Sequence, residues 1–95
     1  MDWDIRPERA AGIELREVTD GYVAYDTARD RLHFLNVTAM MLLEACDGRL
    51  RARELPELLA AAYRLPEPPT AEVERCLDKL LEEGLLVSRG TPLAG

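Results

Sequence analysis

The chain has little of what most often does chemistry. Its 95 residues include two cysteines and one histidine. Cys46 and Cys76 stand apart, with no C-x-x-C and no histidine beside either, whereas a structural zinc takes four ligands clustered in pairs. Each falls on the apolar stripe of an expected helix, where a free cysteine behaves as a small hydrophobe. Asp26, Asp30 and His33 form no Ser-His-Asp or Cys-His spacing, and there is no glycine-rich phosphate loop and no metal motif. The sequence therefore points away from an enzyme and away from any metal or cofactor. Long apolar runs are missing too: no window approaches the ~20 apolar residues of a membrane span. Met1-Asp2-Trp3-Asp4 lacks the basic start and apolar core of a signal peptide, and a cytoplasmic location is expected.

Positive charge is scarce. A formal net charge of −6 and a pI near 4.7 disfavour phosphate backbones and anionic lipid, both of which are bound through clustered Lys and Arg. Neither nucleic acid nor membrane is expected as a partner; a protein or a peptide is. Ninety-five residues make one small domain, burying roughly two thirds of its unfolded surface. We place its body at residues 13–87, after a partly flexible N-terminal segment (1–12) and before a flexible tail (88–95).

Within that body the periodicity changes once, from two to 3.6. Ile13 to Val18, Tyr22 to Asp26 and Arg31 to Leu35 alternate as three strands, the last two joined by the polar loop Thr27-Ala28-Arg29-Asp30. If Asp26 faces Arg31, then Tyr25 faces Leu32 and Val23 faces Phe34, which gathers four apolar or aromatic side chains on one face. The opposite face, with Tyr22, Ala24, Asp26, Arg31, His33 and Leu35, is mixed and suits solvent or a loosely held N-terminal segment.

Three helices follow. Asn36 is a good N-cap for the first, with Thr38 a second candidate; it runs to about Ala45, nearly apolar all round, and stops at Asp47-Gly48. The second spans roughly Ala52 to Tyr63, with Leu55, Leu58, Leu59 and Ala62 on one stripe and Pro56 in its first turn. Pro66, Pro68 and Pro69 then forbid helix and set an extended linker. Thr70 is the expected cap of the third helix, whose apolar stripe is Val73, Cys76, Leu77, Leu80 and Leu81, and Gly84 closes it. Leu85-Leu86-Val87 either returns as a short strand or covers the core. The fold class is thus α+β, a three-stranded antiparallel sheet followed by three helices.

Two junctions carry a family likeness. Leu35-Asn36-Val37-Thr38-Ala39, followed by the apolar run to Cys46 and then Asp47-Gly48, resembles the strand-to-helix junction of PqqD-like proteins. Leu80-Leu81-Glu82-Glu83-Gly84-Leu85-Leu86 resembles their closing motif. The likeness covers about Gly21 to Val87 and lies in the order and spacing of short motifs. It implies a winged-helix-like domain that recognises the leaders of ribosomally made, post-translationally modified peptides and works beside a separate enzyme such as a leader peptidase, a cyclase or a radical enzyme. It implies further that the leader adds as a strand to the third strand and lies in the groove with the third helix. Carried to this sequence, the peptide-binding positions are Arg31, Leu32, His33, Phe34 and Leu35 on the strand. On the helix they are Glu72, Arg75, Cys76, Lys79 and Glu83. Whether the peptide is a lasso peptide, a quinone-cofactor precursor or another class stays open.

An edge strand supports such a site on physical grounds, because its unpaired amides and carbonyls can take an extended peptide; with Asp26 opposite Arg31, the outward groups belong to Leu32 and Phe34. A general protein adaptor would use the same surface. A winged-helix DNA binder is disfavoured, since Ala71 to Gly84 holds five acids against two bases and would meet a major groove with like charge. The run Arg49, Arg51, Arg53 reads as a solvated rim or a patch for an acidic partner.

Overall fold

The computed structural model describes residues 1–89. Five strands and three helices follow in the order β1 (Arg6–Arg9), β2 (Ile13–Val18), β3 (Gly21–Asp26), β4 (Arg31–Leu35), α1 (Val37–Ala45), α2 (Leu55–Tyr63), α3 (Thr70–Glu82) and β5 (Leu86–Arg89). Strands β2, β3 and β4 form a three-stranded antiparallel sheet in that order, with three helices after it, so the α+β class holds. The expected register holds as well: Asp26 faces Arg31, Tyr25 faces Leu32 and Val23 faces Phe34.

The faces of the sheet, however, are reversed from expectation. The mixed face is the one the helices cover: Ala24 is fully buried, Ile13 and Leu35 are nearly so, and Leu15 and Tyr22 pack against the same core. The more apolar face turns outward, leaving Phe34 83% and Leu32 61% exposed. The chain path explains the choice. Leu35 leads through Asn36 straight into α1, and that helix settles on the side where Ala24 lets a backbone come close. Of the polar members of the covered face, Asp26 finds partners in the backbone. Asp26, buried, accepts from the amides of Ala28 (3.1 Å) and Arg29 (3.2 Å) and so shapes the β3–β4 turn.

Asn36 caps α1, its side chain accepting from the Ala39 amide at 2.8 Å. Ala39, Leu42, Leu43 and Cys46 are buried against the sheet and the other helices, each large member contributing about 1.5 to 3 kcal/mol. At Asp47-Gly48 the chain turns, with Gly48 at φ +84°. A short 3-10 turn, Ala52–Glu54, precedes α2, so the single helix expected from Ala52 begins instead with a tighter turn. On α2 Leu55 and Leu59 are buried, whereas Leu58 and Ala62 face outward. In α3 the N-cap is Pro69 and Thr70 is the first helical residue without a side-chain cap, a correction of one position. Val73, Leu77 and Leu80 are buried, and Cys76 and Leu81 half-buried. Gly84, at φ +77°, ends the helix and lets Leu85 donate to the Leu80 carbonyl at 3.0 Å.

Of the two alternatives for Leu85-Leu86-Val87, the returning strand is the one realised, as β5; what alternation does not reveal is its partner β1, with which it forms a second, two-stranded antiparallel sheet from Arg6 opposite Arg89 to Arg9 opposite Leu86. Backbone bonds extend it: Arg9 donates to Cys46, Ala10 to Leu85, and Ala52 and Arg53 to Ile5 and Trp3. Ser88 and Arg89, assigned to the tail from sequence, belong to β5; the rest of that tail, residues 90–95, lies outside the described residues.

Candidate functional site

Strand β4 is the edge of its sheet, with β3 on one side and no strand on the other among the described residues. Alongside that free edge runs α3. Two sets of contacts hold strand and helix at a fixed separation. At one end Thr38 Oγ1 donates to Glu72 Oε1 at 3.4 Å. At the other, His33 Nδ1 lies 3.7 Å from Glu83 Oε2, and Arg29 Nη1 donates to the Glu83 carbonyl at 3.4 Å. Because the start of α3 meets the residues after β4 and its end meets His33, strand and helix run in opposite directions along the groove.

Between these clamps lies a cavity of about 310 Å³. Phe34 and Leu35 line it from β4, and Glu72, Arg75, Cys76, Lys79 and Glu83 from α3. Seven of the ten residues singled out in the sequence therefore meet in one place. Of the other three, His33 sits at the groove's end, its side chain mostly covered and its Nε2 buried without a hydrogen-bond partner among the described residues. Arg31 is exposed beside the β3–β4 turn. Leu32 points to the outer face, into a depression shared with Arg16, Val23, Tyr25 and Asp30. Three lining residues escaped the sequence reading: Asn36, Ala39 and Leu80. The N-cap signal at Asn36 places the first two directly after the edge strand, and the α3 stripe places Leu80 one turn beyond Cys76, but both signals point to core and cap and not to a groove.

The groove has an apolar floor and charged walls. Leu35, Ala39 and Leu80 are buried and Cys76 is half-buried beneath it. Along α3 the rim runs acid, base, base, acid: Glu72, Arg75, Lys79, Glu83. Both acids have protein contacts, whereas Arg75 and Lys79 have no hydrogen bond or ion pair among the described residues. The Cys76 thiol is pushed up from its ordinary value by burial, with the Glu72 charge adding to the shift and Lys79 opposing it; it stays a neutral thiol in the groove. No group of three or more His, Cys, Asp or Glu able to hold a metal occurs among the described residues. The acids weighed for chemistry are engaged otherwise, Asp26 in its turn and Asp30 by the Tyr25 hydroxyl at 2.5 Å. No helix of the described residues is long and apolar enough to cross a membrane.

An open edge strand beside a floored, charge-rimmed groove is an arrangement that can take an extended peptide, set in a small α+β domain. The family is specific: residues 21–86 match the model of coenzyme PQQ synthesis protein D (PqqD), and the chain belongs to that family. PqqD-like domains are recognition elements of ribosomally made, modified peptides, non-catalytic accessories that bind precursor peptides and work with their modifying enzymes. No curated protein and no solved structure matches the chain.

Proposed function

We propose that this chain captures the leader of a precursor peptide as an added strand on β4, in the groove with α3, and delivers the rest of that peptide to a separate enzyme. The observation that carries the reading is the free edge of β4 lying along a groove with two unpaired bases on its rim. Alternate residues of an antiparallel strand turn their backbone groups to opposite sides. The two-residue turn at Thr19-Asp20 joins Val18 and Gly21 as a bonded pair. Counting by two along β3 then gives Tyr22, Ala24 and Asp26 to β4, opposite Leu35, His33 and Arg31. Leu32 and Phe34 are left to offer their amides and carbonyls to a newcomer. From Glu72 to Glu83 the helical wall is roughly 16 Å long, room for roughly five extended residues.

Delivery needs no chemistry from this chain. Holding the leader raises the local concentration of the attached core peptide at a partner's active site to about the millimolar range for a short linker. The partner is a modifying enzyme or leader peptidase acting on the core.

The test incubates a full precursor with this protein alone, with a candidate enzyme alone and with both, and follows its mass. The precursor should stay unchanged with this protein alone. Its conversion by the enzyme should accelerate when both are present, and the acceleration should vanish for a core peptide lacking the leader. Cleavage, dehydration or a cross-link produced by this protein alone would overturn the delivery reading.

A further inference from the structure

Among the described residues no helix or strand covers the outer face of the three-stranded sheet. Phe34, Leu32 and Val18 are exposed on it, Tyr25 is half-buried and Val23 buried beside them, and Phe34 also stands at the rim of the groove. Large apolar side chains so wetted mark a surface that something else completes. Resting on the strand-addition reading, we infer that the captured peptide is read on both of its faces: alternate side chains enter the groove, and those between pack against Phe34 and Leu32 outside. The ligand class is then an extended segment with aromatic or β-branched residues at i and i+2, and the intervening residue directed at α3.

The geometry leaves little freedom. In an added strand, residues opposite Leu35 and His33 share their face and point toward the groove, while residues opposite Phe34 and Leu32 share the outer face. Phe34 and Leu32 belong at once to the edge that binds and to the face that is bare, so the same peptide that satisfies their backbone groups necessarily sets two side chains against theirs. Tyr25 and Val23 lie directly behind, cross-strand partners of Leu32 and Phe34, and would continue the apolar row from the peptide across the sheet. A ligand held only by the groove would leave Phe34 and Leu32 as wet as before.

Random twelve-residue peptides displayed on phage, selected against the full chain and against its Phe34→Thr/Leu32→Thr double variant, test this. Threonine keeps strand propensity, and neither site is in the core, so the variant folds; circular dichroism confirms it. Peptides enriched on the natural chain should carry aromatic or β-branched residues at i and i+2, and the double variant should bind them about tenfold more weakly, two cross-strand pairs being lost. Period-two peptides with polar residues at those positions, bound equally by both proteins, would overturn the inference and leave strand addition standing. Peptides with apolar residues at helical spacing would remove both. A dimer pairing through β4, dissolved by the double variant and selecting no peptide, would give the face to a second copy and overturn the inference as well.

Discussion

Replacing Leu32 by proline should separate peptide capture from folding. Proline removes one amide and projects its ring where a neighbouring strand would lie. In the fold Leu32 is 61% exposed, so what is lost is about two fifths of a leucine's burial, roughly 1 kcal/mol at most. At about 4–8 °C per kcal/mol for a domain of this size, the melting temperature should fall by less than about 8 °C. The peptide loses one main-chain hydrogen bond of about 0.5–1.5 kcal/mol, a two- to twelvefold effect at about 1.4 kcal/mol per tenfold. The ring also obstructs its approach, which places the loss at about tenfold or beyond. Phe34→Pro should act likewise. The contrast is Val23→Pro in the middle strand, paired with Arg16 on one side and Phe34 on the other. There a ladder bond to β2 breaks and a ring is forced into a buried position between two strands, at a cost of about 3 kcal/mol or more. Fluorescence anisotropy of a labelled leader gives the affinities and thermal circular dichroism the stabilities. Unchanged affinity in a folded Leu32→Pro or Phe34→Pro protein would refute the β4 edge as the site.

The rim charges give a second expectation: with an acidic leader, Arg75→Glu or Lys79→Glu should slow association by about three- to tenfold at low salt, with the difference shrinking as screening sets in at about 0.15 M. Stopped-flow measurements check this, and identical rates for both variants would mean that the leader is read by apolar anchors alone. A third concerns Cys46, whose thiol is pushed up to about 12 by burial and by the Asp47 charge beside it. The folded state holds the proton that the unfolded chain releases near the ordinary value of 9.0, so this stabilisation is whole below pH 9 and is lost as pH rises toward 12. Urea midpoints should drop between about pH 7 and about pH 10.5 more steeply in the natural chain than in Cys46→Ala; parallel slopes would show that the thiol is not held neutral.

The strand register was legible because Asp26, a four-residue polar loop and Arg31 admit only one pairing that keeps apolar residues opposite one another. The groove was legible only through the family resemblance: its walls are an edge strand and an amphipathic helix that α1 and α2 separate in the chain, and alternation alone does not set one beside the other. The orientation of the sheet was not. In β3 and β4 alone, Val23, Tyr25, Leu32 and Phe34 outweigh Tyr22, Ala24 and Leu35 in apolar character, and Ile13 and Leu15 of β2, which share the covered face, only even the balance. What decides is tertiary: where Leu35 releases the chain into α1, and how closely a helix can approach Ala24. Strand β1 was illegible for another reason. Arg-Pro-Glu-Arg has no alternation of apolar residues and is a strand only because β5 returns beside it.

That returning ribbon bears on how the molecule reaches its shape. The β2–β3–β4 meander closes through turns of two and four residues, and α1 follows at once, so these parts can form from neighbours in sequence. The pairing of Arg6 with Arg89 instead encloses nearly the whole chain, and the entropy of closing so long a loop is recovered only when everything between is already compact. The ribbon is therefore the pairing whose closure costs the most chain entropy. Loss of the first ten residues would strip β5 of its one strand partner among the described residues and uncover Leu85 and Leu86 beneath it, loosening the end of α3 and with it one wall of the groove.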